Sequence, residues 1–119
     1  MTSGAGQRPK MHEISAAILL SHYFGTKVHI VEKSTHKTAD FKIGNQLWEV
    51  KSPTGAGKNT IQRNVKKAFK QSENIIIDCR RTQIPVAKIK NELRRQVHLS
   101  SRIKRLLIIE KSEKIIVIK

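Results

Sequence analysis

The chain has 119 residues, enough for one domain around a single core. An apolar fraction of 38% excludes a disordered tail, apolar runs such as 106–109 and 115–118 are too short to span a membrane, and one cysteine excludes an internal disulfide. Lys and Arg number 24 against 9 Asp and Glu, a net +15 that attracts phosphate backbones or acidic proteins; with aromatics at 4%, a base-stacking platform is poorly supplied.

Residues 1–10 read as a flexible basic leader without the apolar segment of a secretory signal, and residues 11–119 as one domain. The spacing predicts a helix over 11–24 that turns Ile14, Ala17, Ile18 and Phe24 inward and stops at Gly25. A short strand over 27–31 and a polar loop over 32–38 follow. Residues 39–52 read as a hairpin closed by the two-residue turn Gly44-Asn45. In that register Ile43 faces Gln46, Phe41 faces Trp48 and Asp40 faces Glu49. Alternation then puts Phe41, Ile43, Trp48 and Val50 on one side, and Asp40, Lys42, Glu49 and Lys51 on the other.

After a loop over 53–58, Asn59 or Thr60 caps a helix to about Gln71. It buries Ile61, Val65, Ala68 and Phe69 and exposes Lys58, Arg63, Lys66, Lys67 and Lys70. Residues 74–78 (NIIID) form a short apolar run of buried-strand type. Pro85 suits the first position of a helix running to about His98, with Val86, Ile89, Leu93 and Val97 inward. Strands over 105–111 and 114–119, joined by a Ser112-Glu113 turn, complete the order αβββαβαββ. That order predicts an α/β sandwich with a mixed central sheet flanked by helices.

Two motif fragments fail. TGAGKNT lacks the first glycine and the Ser or Thr of a Walker loop, since Ser52 and Asn59 stand there. His12-Glu13 opens a zinc-protease signature, but Ala16 occupies the second histidine position.

The chemistry resides in Asp40, Glu49 and Lys51, with Glu13 as a fourth member. Two carboxylates opposed across a strand pair stand about 5 Å apart and repel unless a cation or proton separates them. Their hard oxygens suit Mg²⁺ or Mn²⁺, and Zn²⁺ less well. Lys51, two residues beyond Glu49, shares its face and can orient a water and offset phosphate charge. Such a group hydrolyses phosphodiesters. If a bridging ion alone relieves the repulsion, Glu49→Ala stabilises the metal-free protein, whereas an incidental surface acid leaves stability unchanged.

Asp40, eight intervening residues, then Glu49-Val50-Lys51 resembles the PD-(D/E)XK nuclease motif, with Ala39 where the motif's proline stands. Glu13 on the opening helix is similar to the auxiliary glutamate of many such enzymes. The wider pattern (HEISAAILL, TADF, LWEVKS, a Lys-rich helix, NIIID and a closing strand pair) resembles the C-terminal nuclease domains of contact-dependent growth-inhibition toxins. The resemblance implies a restriction-endonuclease-like fold and metal held by Asp40, Glu49 and the Val50 carbonyl, with Glu13 as an outer or direct ligand. It also implies tRNA or other RNA as substrate, action in the bacterial cytoplasm after delivery within a larger toxin, and an immunity protein, which the +15 charge suggests is acidic. A DNase of the same fold and a non-catalytic basic nucleic-acid-binding protein are the alternative readings.

Outside that group, Lys58, Arg63, Lys66, Lys67 and Lys70 form a basic face suited to phosphate contact. His36 in the loop before Asp40 is expected to face solvent, Trp48 to anchor the core, and Cys79 to be an inert buried thiol.

Overall fold

Glycines at two positions set the first half of the fold. In the computed structural model, which describes residues 10–31, 39–55, 57 and 59–119, Gly25 (φ 66°) ends the first helix and Gly44 (φ 61°) opens a tight turn. That left-handed conformation costs an ordinary residue about 1–2 kcal/mol and glycine almost nothing. The elements are α1 (Met11–Phe24), β1 (Val28–Ile30), β2 (Phe41–Ile43), β3 (Gln46–Lys51), α2 (Thr60–Phe69), β4 (Asn74–Asp78), α3 (Val86–Leu99), β5 (Arg105–Ile109) and β6 (Ile115–Val117). The leader up to residue 9, the loop over 32–38 with His36, and Lys58 lie outside the described residues.

The six strands make one mixed sheet in the spatial order β1-β2-β3-β4-β5-β6. β4 runs parallel to β3 and to β5, and every other pairing is antiparallel. Parallel neighbours need a crossover, which α2 and α3 supply. The two-residue turn fixes the hairpin register: Phe41 stands opposite Trp48 and Ile43 opposite Gln46.

Strand alternation divides the core. Phe41, Ile43, Trp48, Ile76, Leu107 and Ile109 meet Ala16, Ala17 and Leu20 of α1 on one face of the sheet. Ile75, Ile77, Leu106 and Ile108 meet Ile61, Val65 and Ala68 of α2 and Ile89 and Leu93 of α3 on the other. With helices on both sides, all five residues of β4 are buried, hence the run Ile75-Ile76-Ile77 between Asn74 and Asp78.

Helix α1 keeps Ala17 inward, as its spacing suggests, but turns the other three residues of that stripe outward. Ile14, Ile18 and Phe24 are 39%, 54% and 37% exposed, while Ala16, Ala17 and Leu20 are buried. The stretch ISAAILL is apolar around most of its circumference, so periodicity does not select a side. Small alanines let α1 approach the sheet closely beneath the bulky Phe41 and Trp48, which fill the layer. Pro85 sits one position earlier than expected, as the extended N-cap residue of α3 (ψ 140°). Helix α2 ends at Phe69; β5 stops at Ile109 because Glu113 (φ 72°) and its neighbours form the turn that follows, and β6 is shorter than predicted at both ends.

An ion pair that the sequence does not announce ties α1 to the sheet. Asp78, fully buried at the end of β4, accepts from Arg80 Nε at 2.9 Å and Nη2 at 2.7 Å. The same guanidinium donates to Ser15 Oγ at 2.6 Å and to the His12 carbonyl at 3.1 Å. One planar fork therefore satisfies a buried carboxylate and fixes where α1 begins.

Candidate active site

Asp40 immediately precedes β2, and its Oδ2 accepts from the Val50 N–H at 3.0 Å. The backbone ladder between β2 and β3 ends at Phe41 and Trp48, so a side chain supplies the next bond. The N–H and C=O of one strand residue leave the same edge, so the Val50 carbonyl faces the Asp40 side as well.

Glu49 and Lys51 alternate on the opposite face of β3 from Val50, level with Ile75 and Ile77 of β4. Glu49 is 2% exposed, and Lys51 Nζ lies 3.1 Å from its Oε2. From just beyond α2, the Gln71 amide, oriented by its hydrogen bonds, donates to Glu49 Oε1 at 2.8 Å and also contacts Oε2. A buried carboxylate without such partners costs several kcal/mol. The premise that only a bridging ion can relieve the two acids is thus corrected: Lys51, Gln71 and the Val50 N–H each hold a carboxylate oxygen.

Glu13 occupies the first turn of α1, where the helix dipole favours an acid. Arg80 ties that turn to the end of β4, the end at which Lys51 pairs with Ile77. Among the described residues, however, no three His, Cys, Asp or Glu side chains gather as a metal-binding group. Glu13, expected as an outer or direct ligand, is thus not gathered with Asp40 and Glu49 into such a group among the described residues. Sequence reasoning placed Glu13 on the correct element, but helix position alone does not determine reach.

The donor set suits a hard cation nonetheless. Asp40 and Glu49 are largely buried carboxylates held by hydrogen bonds, and Mg²⁺ typically takes one or two carboxylates and keeps several waters. Cys79 is buried, and desolvation, with the Asp78 carboxylate nearby, pushes its thiol up to about 12.

Arg63, Lys66 and Lys67 lie exposed on the outer face of α2 and Lys70 is exposed just past its end, while Ile61, Val65 and Ala68 face the core. Trp48 is 2% exposed and anchors the core as expected. Beside the first turn of α1, Arg81 Nη1 donates to His12 Nδ1 at 2.7 Å; burial, then Arg81, hold that imidazole below its ordinary pKa. Gln71, Asp78 and Arg80 escaped the sequence reading. A glutamine just past a helix carries no signal, and Asp78 could have been noticed as an acid ending an otherwise apolar strand.

Residues 37–115 match the family described as contact-dependent growth inhibition CdiA C-terminal domain, and the chain belongs to that family. It is thus a toxin domain of contact-dependent growth inhibition, and the match spans Asp40, Glu49 and Lys51 but not Glu13. Among solved structures, a chain from the CdiA-CT/CdiI toxin and immunity complex of Burkholderia pseudomallei is similar, with a TM-score of 0.68 at 18% identity, over 95% of this chain and 93% of that one. At that identity the likeness is one of fold. No curated protein matches the sequence.

Proposed function

We propose that this domain is a metal-dependent endonuclease of the PD-(D/E)XK, restriction-endonuclease-like type. It hydrolyses phosphodiester bonds in RNA, tRNA included, inside a target bacterium. The carrying observation is the Glu49–Lys51 pair, 3.1 Å apart on one strand, beside an Asp40 carboxylate fixed to the Val50 N–H, in a chain of net charge +15. A basic nucleic-acid binder has little use for buried, organised carboxylates unless they do chemistry.

In this reading Asp40, Glu49 and the Val50 carbonyl are the ligands. Mg²⁺ or Mn²⁺ bound there supplies Lewis acidity to the phosphoryl group and an acidified water. Asp40 and Glu49 are held in place before substrate arrives, so little reorganisation is needed. Lys51, 24% exposed, presents its ammonium between Glu49 and solvent. There it orients the attacking water and offsets the charge that grows on the phosphate oxygens. Glu13, at the same end of the sheet, takes an outer position and acts through water. The exposed cations of α2, with Lys58 beside them in sequence, carry flanking phosphates.

An acidic immunity protein is the complementary partner: the similar solved structure is a toxin and immunity complex, and a +15 surface speeds association with an acidic one. The test is cleavage of total bacterial RNA and of plasmid DNA with Mg²⁺ or EDTA, by the wild type, Asp40→Asn and Lys51→Ala. RNA cut only by the wild type with metal supports the reading; cleavage persisting in EDTA and in both variants refutes it.

A further inference from the structure

Below the Glu49 carboxylate, toward the start of β3, lies a groove of about 800 Å³. Its floor is the first half of β3 and the start of β4, and its walls are the end of α2 and the segment leading into β5. Three cations line it: Lys70, Arg102 and Arg105. Glu73 is the acid in the lining, and Lys104 Nζ stands 3.5 Å from it.

The guanidinium groups are held by neutral partners. Arg105 Nη1 donates to Asn74 Oδ1 at 3.3 Å, and the Gln46 amide oxygen accepts from Arg105 Nη1 at 3.0 Å and Nη2 at 3.2 Å. Arg102 lies over the Phe69 ring, 6.0 Å from its centroid. Among the described residues neither guanidinium has a carboxylate partner, so their charge is organised yet uncompensated. The wall is stiff as well, because Leu47 O accepts from Ser72 Oγ at 2.7 Å and from Asn74 Nδ2 at 3.0 Å. Positioned, unneutralised guanidinium groups suit an anion with oxygens at several points along its length.

Gln71 connects this groove to the site, lining the one and bonding Glu49 in the other. Leu47 on the groove floor precedes Glu49 by two residues on the same face of β3, about 7 Å along the strand. We propose that the groove is a phosphate-backbone subsite: the polynucleotide strand continues from the bond at Glu49 and Lys51 into it. There Arg105 and Lys70 bind successive phosphates, and Arg102, braced on Phe69, binds the next. The inference rests on the nuclease reading for the position of the cut bond, but binding in the groove stands apart from cleavage.

Fluorescence anisotropy with a short labelled RNA in EDTA, recovered intact, tests binding on the full chain. Arg102→Gln with Arg105→Gln is expected to weaken affinity about tenfold and to make the slope of log K against log salt shallower by about 1.4. Lys88→Gln with Arg94→Gln removes the same charge from the exposed face of α3 and is expected to change affinity less than about twofold. Because Arg105 also braces Asn74 and Gln46, Lys70→Gln with Arg102→Gln provides a second groove pair with less structural consequence. Equal losses from the groove and α3 pairs would overturn the inference, reducing the groove to general positive charge. Groove-dependent binding without any cleavage removes the nuclease reading and leaves the groove. Cleavage with groove-independent binding does the reverse.

Discussion

Lys51 Nζ stands 3.1 Å from Glu49 Oε2, an ion pair between neighbours on one face of a strand, with the carboxylate 2% exposed and the amine side 24%. Removing the acid leaves a half-buried ammonium and a Gln71 amide without their acceptor. Glu49→Ala is expected to destabilise the metal-free protein by about 2 kcal/mol, below the usual cost of breaking a fully buried pair because Lys51 reaches water. Urea denaturation in EDTA measures it. A stabilised variant would restore the view that the acids chiefly repel one another.

Loss of activity should separate from loss of fold. Asp40→Asn and Lys51→Ala are expected to lower the cleavage rate about 10²–10⁴-fold with unchanged far-ultraviolet circular dichroism. Lys51→Arg keeps the charge but not the compact ammonium that fits beside Glu49, so it should recover little. Single-turnover assays with Mg²⁺ distinguish these outcomes.

Arg80→Met strands Asp78, a fully buried carboxylate at the end of β4, and frees the first turn of α1. A destabilisation of about 3–5 kcal/mol is expected, with hydrogen exchange in α1 accelerated first. Adding Asp78→Asn to Arg80→Met should recover part of that loss, because the stranded charge disappears. Denaturation of both variants decides the matter.

His12 contributes a pH dependence of definite sign. Burial and then Arg81 lower its pKa from the ordinary 6.5, so the folded state binds fewer protons than the unfolded. Its stabilising contribution is complete above the unfolded value and declines as pH falls toward the folded one. The wild type is therefore expected to lose more thermal stability than His12→Gln between about pH 7 and about pH 5. Equal losses in thermal melts would contradict a lowered His12 pKa in the folded state.

Cys79, fully buried with its thiol pushed up to about 12, should not react with a disulfide reagent at about pH 8 until denaturant is added. A rapid reaction of the native protein would mean that the β4 end opens.

The sequence was most legible where local chemistry decides. The Gly44-Asn45 turn fixed the register of β2 on β3, and apolar density marked β4. Helix α1 shows the opposite case: its bounds followed from Gly25, but its buried face is chosen by the shape of the sheet beneath it. The hairpin register likewise put Glu49 and Lys51 on one face, yet Gln71, 22 residues further along the chain, reaches Glu49, a pairing created only by packing α2 on β3. Glu13 and Arg80 belong with such long-range features, since their places depend on how α1 docks.

The spatial order β1-β2-β3-β4-β5-β6 repeats the order of the chain itself. No strand must wait for a later one to be inserted between itself and its predecessor, so assembly can proceed by simple accretion from one end. Each strand after the first therefore finds its neighbour already made, while the helix that opens the chain gains its full partners, Leu107 and Ile109, only when β5 arrives.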